Sequence, residues 1–180
     1  DDDGWQDIMC NAENGYTFYR NVGGSFEDIT NDVLLFDSKQ ARKEGSLAVF
    51  GDINGDGALD IYLAARGGMD QLLINDGYGH FERHQASSKL EHFESVQGVH
   101  FADVNNDSFL DLYVTEGRRV DADSLDPPLE NGLAGRPNTL LLGDGTFNFE
   151  DVTTNWGVAA GESSESFGGL FADMDRDGDQ

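Results

Sequence analysis

Between Gly51 and Ala65 the chain reads GDINGDGALDIYLAA. Oxygen-bearing side chains stand on alternate residues at Asp52, Asn54 and Asp56, Gly57 follows, and a further acid closes the run at Asp60. A loop that curls round a point sends alternate side chains inward, so this spacing gathers carboxylate and amide oxygens about one centre. Two carboxylates about 5 Å apart repel by roughly 3 kcal/mol at an effective dielectric near 20. A hard divalent cation removes that repulsion. Three carboxylates and one amide suit calcium better than magnesium, which keeps more of its water. The loop has no Cys or His, which argues against zinc and copper. The predicted ligands are the side chains of Asp52, Asn54, Asp56 and Asp60 and the backbone carbonyl of Ala58.

The same phrase returns. FADVNNDSFLDLYVTE supplies Asp103, Asn105, Asp107 and Asp111 with the carbonyl of Phe109, and the chain's last residues, FADMDRDGDQ, supply Asp173, Asp175, Asp177 and Asp179. The opening DDDGWQDIMC fits the same frame entered at its third place, with Asp1, Asp3, the carbonyl of Trp5, and Asp7. Recurrence at a spacing of about 50 residues marks a repeat architecture. Turn chemistry alone explains one cluster of Asp, Asn and Gly, but it gives no reason for the pattern to return in phase. Calcium is therefore the expected cofactor. The third-unit loop departs at Ser108, which replaces the turn glycine. An EF-hand is excluded, because it needs a Glu at the twelfth loop place and flanking helices. Leu63 and Val114 stand there, and the flanks alternate like strands.

The elements that hold these loops repeat as well. SLAVF, GVHF or GGLF precedes the loop, and DIYLA, DLYVT or DIMCN follows it. Then come YTFYRN, QLLIND or NTLLLG, a glycine turn, and FEDIT, FERHQ or FEDVT. Each phrase has period-two alternation and β-branched or aromatic content, which predicts four strands per unit. The expected fold is all-β: about three four-stranded antiparallel blades of a β-propeller, too few to close a ring, since closed propellers have 4 to 8. One repeat domain spans 1–180, with units at about 1–50, 51–101 and 102–171 and the start of another at 172–180. Ser87 to Val96, SSKLEHFESV, is the most helix-like piece and reads as a connection. Both ends of the chain fall inside the same loop phrase, so the chain reads either as an excerpt of a longer propeller or as a unit that joins copies of itself.

Composition agrees. Thirty-five Asp and Glu against 11 Lys and Arg give a net charge of -24, which repels nucleic acid and anionic membrane surfaces and draws cations. Acidic chains are often disordered, but 38% hydrophobic residues with 12 Phe supply a core. One cysteine, Cys10, rules out an internal disulfide framework, and no apolar run reaches the roughly 18 residues of a membrane span.

Phe-Gly/Ala-Asp leading into DxNxDGxxD, an alternating strand, and then INDGYGHFE or LGDGTFNFEDVT resembles the FG-GAP/VCBS repeats of integrin α-subunit propellers, across essentially the whole chain. GDGTFNFEDVTTNWGV is particularly similar to propellers of the cartilage acidic protein type. The resemblance implies an extracellular or cell-surface calcium-bearing propeller used in adhesion or recognition, with a protein or glycan ligand. Two alternatives stand beside that scaffold: a structural subunit of a ring or filament assembled head to tail, in which Asp7 of one copy completes the loop of Asp173, Asp175 and Asp177 of another, and the propeller domain of a polysaccharide-active enzyme.

No nucleophile elbow, phosphate loop or dinucleotide fingerprint appears, so no catalytic residue is assigned. The insertion 117–137 holds all three prolines together with Arg118, Arg119 and Arg136. It reads as an inert surface loop or as a partner-binding loop for an acidic neighbour. His80 and His84 are four apart on a strand, about 13 Å, too far to share an ion. Cys10 aligns with Leu63 and Val114 and is expected in the core, while Trp5 and Trp156 should pack between blades or rim a face. Asn106-Asp107-Ser108 is a glycosylation sequon inside a predicted ion loop.

Overall fold

Short alternating apolar runs separated by Asp-Gly and Gly-Gly turns make hairpins, and the chain builds sheets from them in sequence. The computed structural model describes residues 3–12, 15–33, 47–64, 70–84, 96–117, 137–159 and 166–174. These form three antiparallel sheets. The first holds β1 (Ile8–Ala12), β2 (Gly15–Val22) and β3 (Ser25–Asp28). The second holds β4 (Leu47–Gly51), β5 (Asp60–Ala64), β6 (Gln71–Asn75) and β7 (Phe81–Arg83). The third holds β8 (Val96–Ala102), β9 (Asp111–Glu116), β10 (Thr139–Gly143) and β11 (Phe149–Asp151). In each sheet the spatial order is the order in the chain, so every connection joins neighbours. The architecture is that of blades of an incomplete propeller, as the repeat predicts, and none of the sheets closes on itself. The expectation of four strands per unit holds for the second and third; among the described residues the first has three.

The alternation decides which face meets which neighbour. On β5, Ile61 and Leu63 turn toward the first sheet and pack with Tyr16, Phe18 and Val33. Tyr62 and Ala64 turn the other way and pack with Val99, Leu112 and Val114 of the third sheet. All four of these side chains are buried, as is Asp60 before them, which is why this strand reads as a continuous apolar run behind its leading acid. Phe18 stacks on Phe81 at 5.6 Å between the first two sheets, and burying rings of this size dominates such interfaces. At Gly51 the approach of the third sheet is too close for a side chain: a Cβ would sit 2.7 Å from Leu110 and 2.8 Å from Phe101.

Two helical turns follow the last strands of the first and third sheets, α1 (Thr30–Val33) and α2 (Thr153–Trp156), which the alternating pattern did not predict. Their cause is local. Asp28 accepts the Thr30 N–H at 3.0 Å, and Asp151 accepts the Thr153 N–H at 2.9 Å. Each threonine hydroxyl then accepts a backbone N–H from the strand before, Phe18 on β2 at 2.9 Å and Leu140 on β10 at 2.9 Å. The repeated phrase FED-Ile/Val-Thr is therefore a corner that ties the outer strand's exit to the sheet.

Residues 166–174, the GGLF phrase, make no strand ladder but lie on the third sheet. Ser166 N–H reaches the Glu116 carbonyl at 3.3 Å, Gly169 N–H reaches His100 Nε2 at 3.2 Å, and Phe171 meets Tyr113 edge-on at 5.9 Å. Cys10 departs from expectation: it is exposed. Its counterparts Leu63 and Val114 are covered by the preceding sheet, whereas no described element covers the Cys10 face of β1. Trp5 and Trp156 are half exposed at the rim. His84 packs against Phe147 at 4.4 Å, and part-exposed His80 pairs with Asp76 at 2.8 Å. In the helix-like piece, Val96 begins β8, and the rest lies outside the described residues. No described helix is long and apolar enough to cross a membrane.

Candidate metal centre

Between β4 and β5 the acidic loop is folded by its own oxygens. Asp52 accepts the N–H of Asp56 at 3.0 Å through Oδ1 and that of Gly57 at 2.9 Å through Oδ2. Asn54 Oδ1 accepts the Asp56 N–H at 3.0 Å, and its Nδ2 donates to Asp56 Oδ2 at 2.7 Å. Asp56 Oδ1 accepts the Ala58 N–H at 2.8 Å. The closing acid Asp60 is fully buried and bridges two places, taking the Ile53 N–H at 3.3 Å and the Asn75 N–H at 2.9 Å. A short polar side chain every second residue turns the backbone back on itself, since each such oxygen lies within reach of an N–H two to five residues on.

The loop between β8 and β9 repeats this network bond for bond. Asp103 accepts from Asp107 at 3.1 Å and Ser108 at 2.8 Å, Asn105 accepts from Asp107 at 3.0 Å and donates back at 2.8 Å, and Asp107 accepts from Phe109 at 2.8 Å. Buried Asp111 takes the N–H groups of Val104 at 2.8 Å and Gly143 at 2.9 Å. The substitution at Ser108 leaves the turn unchanged: its φ is 73°, beside 90° at Gly57, and Asn106 at 59° matches Gly55 at 73°.

Half of the same network stands ahead of β1. Asp3 accepts the Trp5 N–H at 2.8 Å and Gly4 has a φ of 85°. Asp7 accepts the Asn21 N–H at 2.8 Å, as Asp60 does from Asn75. Asp173 is exposed at the far end of 166–174. Asp1, Asp175, Asp177 and Asp179 lie outside the described residues, and so do Arg118, Arg119 and Arg136 of the insertion.

Burial raises the pKa of Asp60, against the lowering effect of its bonds from Asn75 and Ile53, and the neighbouring carboxylates Asp56 and Asp52 push it up further. Asp111 is raised in the same way, by burial first and with Asp107 and Asp103 adding to it. A carboxylate held in the fold with two more pushing on it is the electrostatic setting a cation relieves. The donors are oxygens only, and each ionised carboxylate has about four acceptor sites, of which the loop N–H groups use a part. In chemistry and charge the residues fit a hard divalent ion. Among the described residues, no three side chains of His, Cys, Asp or Glu already converge as a cage; the loop oxygens are set on their own N–H donors.

At the other end of the strands lie polar pairs that the spacing argument missed. Tyr62 donates its hydroxyl to buried Asp70 at 2.7 Å, and Asn138 donates to the Tyr113 hydroxyl at 2.9 Å. Burial, and then the Asp70 carboxylate, push the Tyr62 pKa well up. The signal was a tyrosine two places after the closing acid in both units, DIY and DLY.

Comparison with protein families finds the FG-GAP-like repeat at residues 1–63 and again at 52–114. The two matches are offset by the spacing that separates successive acidic loops, and each begins at an acidic loop or within one. Among curated proteins no sequence matches the chain. The matched residues exceed half of the 180 in the chain, and beyond them the third sheet repeats the geometry of the second; the chain belongs to the FG-GAP-like repeat family.

Proposed function

We propose that this chain is a calcium-stabilised segment of an extracellular β-propeller that serves as a recognition or adhesion scaffold for a protein or glycan, and that it is not an enzyme. The observation that carries the calcium reading is the pair of loop networks with matching hydrogen bonds, each ending in a buried acid pressed by two further carboxylates. The role of the ion is to tie the exit of the inner strand to the start of the next, which Asp60 and Asp111 already begin by bridging loop and sheet. Family membership and the net charge of -24 support an extracellular setting, where calcium is abundant. Binding residues are disproportionately carried by loops set on a sheet scaffold, which favours recognition over catalysis here.

Calorimetric titration and thermal melting with calcium, magnesium and chelator test this. With a dissociation constant near 0.1 mM, calcium at about 1 mM adds roughly 1.4 kcal/mol per site. The expected result is a melting temperature raised by calcium, less by magnesium, with Asp56→Ala and Asp107→Ala each removing one binding event. Equal melting in calcium and in chelator, with no heat of binding, overturns the reading.

A further inference from the structure

The acidic loop of the second sheet and the outer hairpin of the same sheet are joined by one side chain that the ion-loop spacing does not include. Asn75 is the last residue of β6, and its backbone N–H binds Asp60 Oδ1 at 2.9 Å. Its side chain works in two directions. Nδ2 donates to the carbonyl of Leu59, beside the closing acid, at 3.1 Å, while Oδ1 accepts the N–H groups of Gly77 and Gly79, each at 3.0 Å. One amide thereby spans from the end of the loop to the turn of the hairpin. The first sheet repeats the arrangement at Asn21, whose N–H binds Asp7 at 2.8 Å, whose Nδ2 reaches the Gln6 carbonyl at 3.2 Å, and whose Oδ1 takes the Gly24 N–H at 2.8 Å.

The third sheet is built without this link. Gly143 stands where Asn75 stands, keeps the backbone bond to Asp111 at 2.9 Å, and has no side chain. A Cβ there would collide with the Leu110 carbonyl oxygen. The loop meets the hairpin by packing instead, Phe109 against Gly145. The two hairpins nevertheless share a backbone, with φ of 81° and 84° at Gly77 and Gly79 and of 71° and 64° at Gly145 and Phe147. Each also holds its own turn through an acid, Asp76 taking the Tyr78 N–H and Asp144 the Thr146 N–H, both at 2.8 Å. The hairpin turn therefore forms without an asparagine at this place. What Asn75 adds is the connection to the acidic loop.

We propose that Asn75 is a positioning residue that couples the second-sheet acidic loop to the hairpin tip at 76–80, so that whatever orders the loop also orders the tip, and the reverse. The tip carries Tyr78, 83% exposed, between two glycines at positive φ. Glycines lose more freedom on ordering than other residues, and a segment held in its bound shape beforehand avoids that cost when a partner docks. Calcium in the loop, a step that rests on the function proposed above, relieves the repulsion among Asp52, Asp56 and Asp60. The Leu59 carbonyl is then steadied, and Asn75 passes this on to the Gly-Tyr-Gly tip. By linkage an ordered tip favours the ion by the same factor.

Amide exchange followed by nuclear magnetic resonance tests the coupling, first in chelator. Asn75→Ala keeps the backbone bond to Asp60 and removes only the side-chain bonds. It should speed exchange at Ala58, whose N–H is bonded to Asp56 and not to Asn75, by roughly two- to tenfold, the net contribution of one hydrogen bond. Phe109, which makes the same bond in the third-sheet loop, should not change. Asn75→Gly, which copies the third sheet, should act as Asn75→Ala does. Asp52→Ala should speed exchange at Tyr78, whose N–H is held by Asp76, but should add nothing in the Asn75→Ala background, where the path is already cut. In calcium, Tyr78 exchange should slow, and Asn75→Ala should weaken one binding event by the factor of that slowing. Unchanged Ala58 exchange in both Asn75 variants, or a Tyr78 response to Asp52→Ala that is equal with and without Asn75, overturns the proposal. Absence of calcium binding with the chelator results intact counts against the ion reading alone, whereas calcium binding with Tyr78 unmoved overturns the coupling and leaves that reading standing.

Discussion

The acidic loops of the second and third sheets have the same hydrogen bonds but not the same residues where the backbone turns. Gly55 and Gly57 take positive φ in one, Asn106 and Ser108 in the other. Asparagine tolerates this region and serine does so poorly, since a Cβ there costs roughly 1–2 kcal/mol. The third-sheet loop nevertheless keeps its shape, and its surroundings explain why. Leu59 is 55% exposed in the second-sheet loop, while Leu110, its counterpart, lies where Gly51 has made room, and Phe109 lies against Gly145. Acid spacing sets the loop, and packing holds it where glycine does not. Glycine at the turn is then a convenience of the repeat and the closing acid a necessity.

The largest effect should come from that necessity. Removing the closing acid, as Asp60→Ala or Asp111→Ala, strands two backbone N–H groups each, those of Ile53 and Asn75 or of Val104 and Gly143. An unsatisfied buried donor costs about 1–3 kcal/mol, and one donor of each pair is only part-buried and can turn to water, so either variant should lose about 2–4 kcal/mol in urea unfolding. The two losses should match despite the different turn residues. If Asp111→Ala were much milder than Asp60→Ala, the third-sheet loop would be held by packing alone and the equivalence of the networks would fail.

A smaller effect separates the turns themselves. Ser108→Gly relieves the left-handed strain and costs some unfolded-state entropy, about 0.5–1 kcal/mol for a glycine. The net expectation is a gain of about 0.5–1 kcal/mol, and Gly57→Ser should lose about as much or more, because the second loop lacks the packing on Leu110 and Phe109. Chemical denaturation of both variants beside the parent reads this directly. A loss on Ser108→Gly would mean that the serine side chain contributes an interaction larger than the strain.

Much of this was legible in the chain before any coordinates. The loops, the hairpins and the sheet boundaries follow from alternation and from Asp and Gly at fixed places, since both act within a few residues of themselves. What escaped the reading depends on contacts between distant segments. The bond from Asp60 to Asn75, or from Asp111 to Gly143, crosses from the loop to the third strand, and the sequence marks only one end of it. The corner in FED-Ile/Val-Thr was visible as a repeated phrase, but its meaning lies in the threonine hydroxyl reaching Phe18 or Leu140. Cys10 was misplaced because alignment assigns a residue its place in the repeat, while burial depends on what packs on that face, and no described element packs on the Cys10 face of β1. Asp70, just ahead of β6, likewise meets Tyr62 on β5 at a position with no periodic signature in the sequence.

The smallest effect lies at the outer hairpin tips, the second place where the two sheets differ. In the second sheet Asp76 is lowered in pKa chiefly by the His80 side chain. In the third, Asp144 is lowered to about 2, first by the Thr146 hydroxyl at 2.7 Å, with the Thr146 N–H and the Asn148 side chain and N–H helping. A carboxyl whose folded pKa lies below its ordinary 3.8 adds stability that is present above that value and lost as pH falls toward about 2. Asp144 is exposed, so solvent screening keeps the contribution small. Thr146→Val removes the hydroxyl and leaves the backbone donors, so the Asp144 pKa, followed by its carboxyl carbon resonance, should rise toward 3.8. Stability near neutral pH should then fall slightly, with the parent and variant converging as both carboxyls protonate. An unmoved resonance would show that the backbone N–H groups and the Asn148 side chain hold Asp144 ionised without the hydroxyl, and the two tips would differ only in what decorates them.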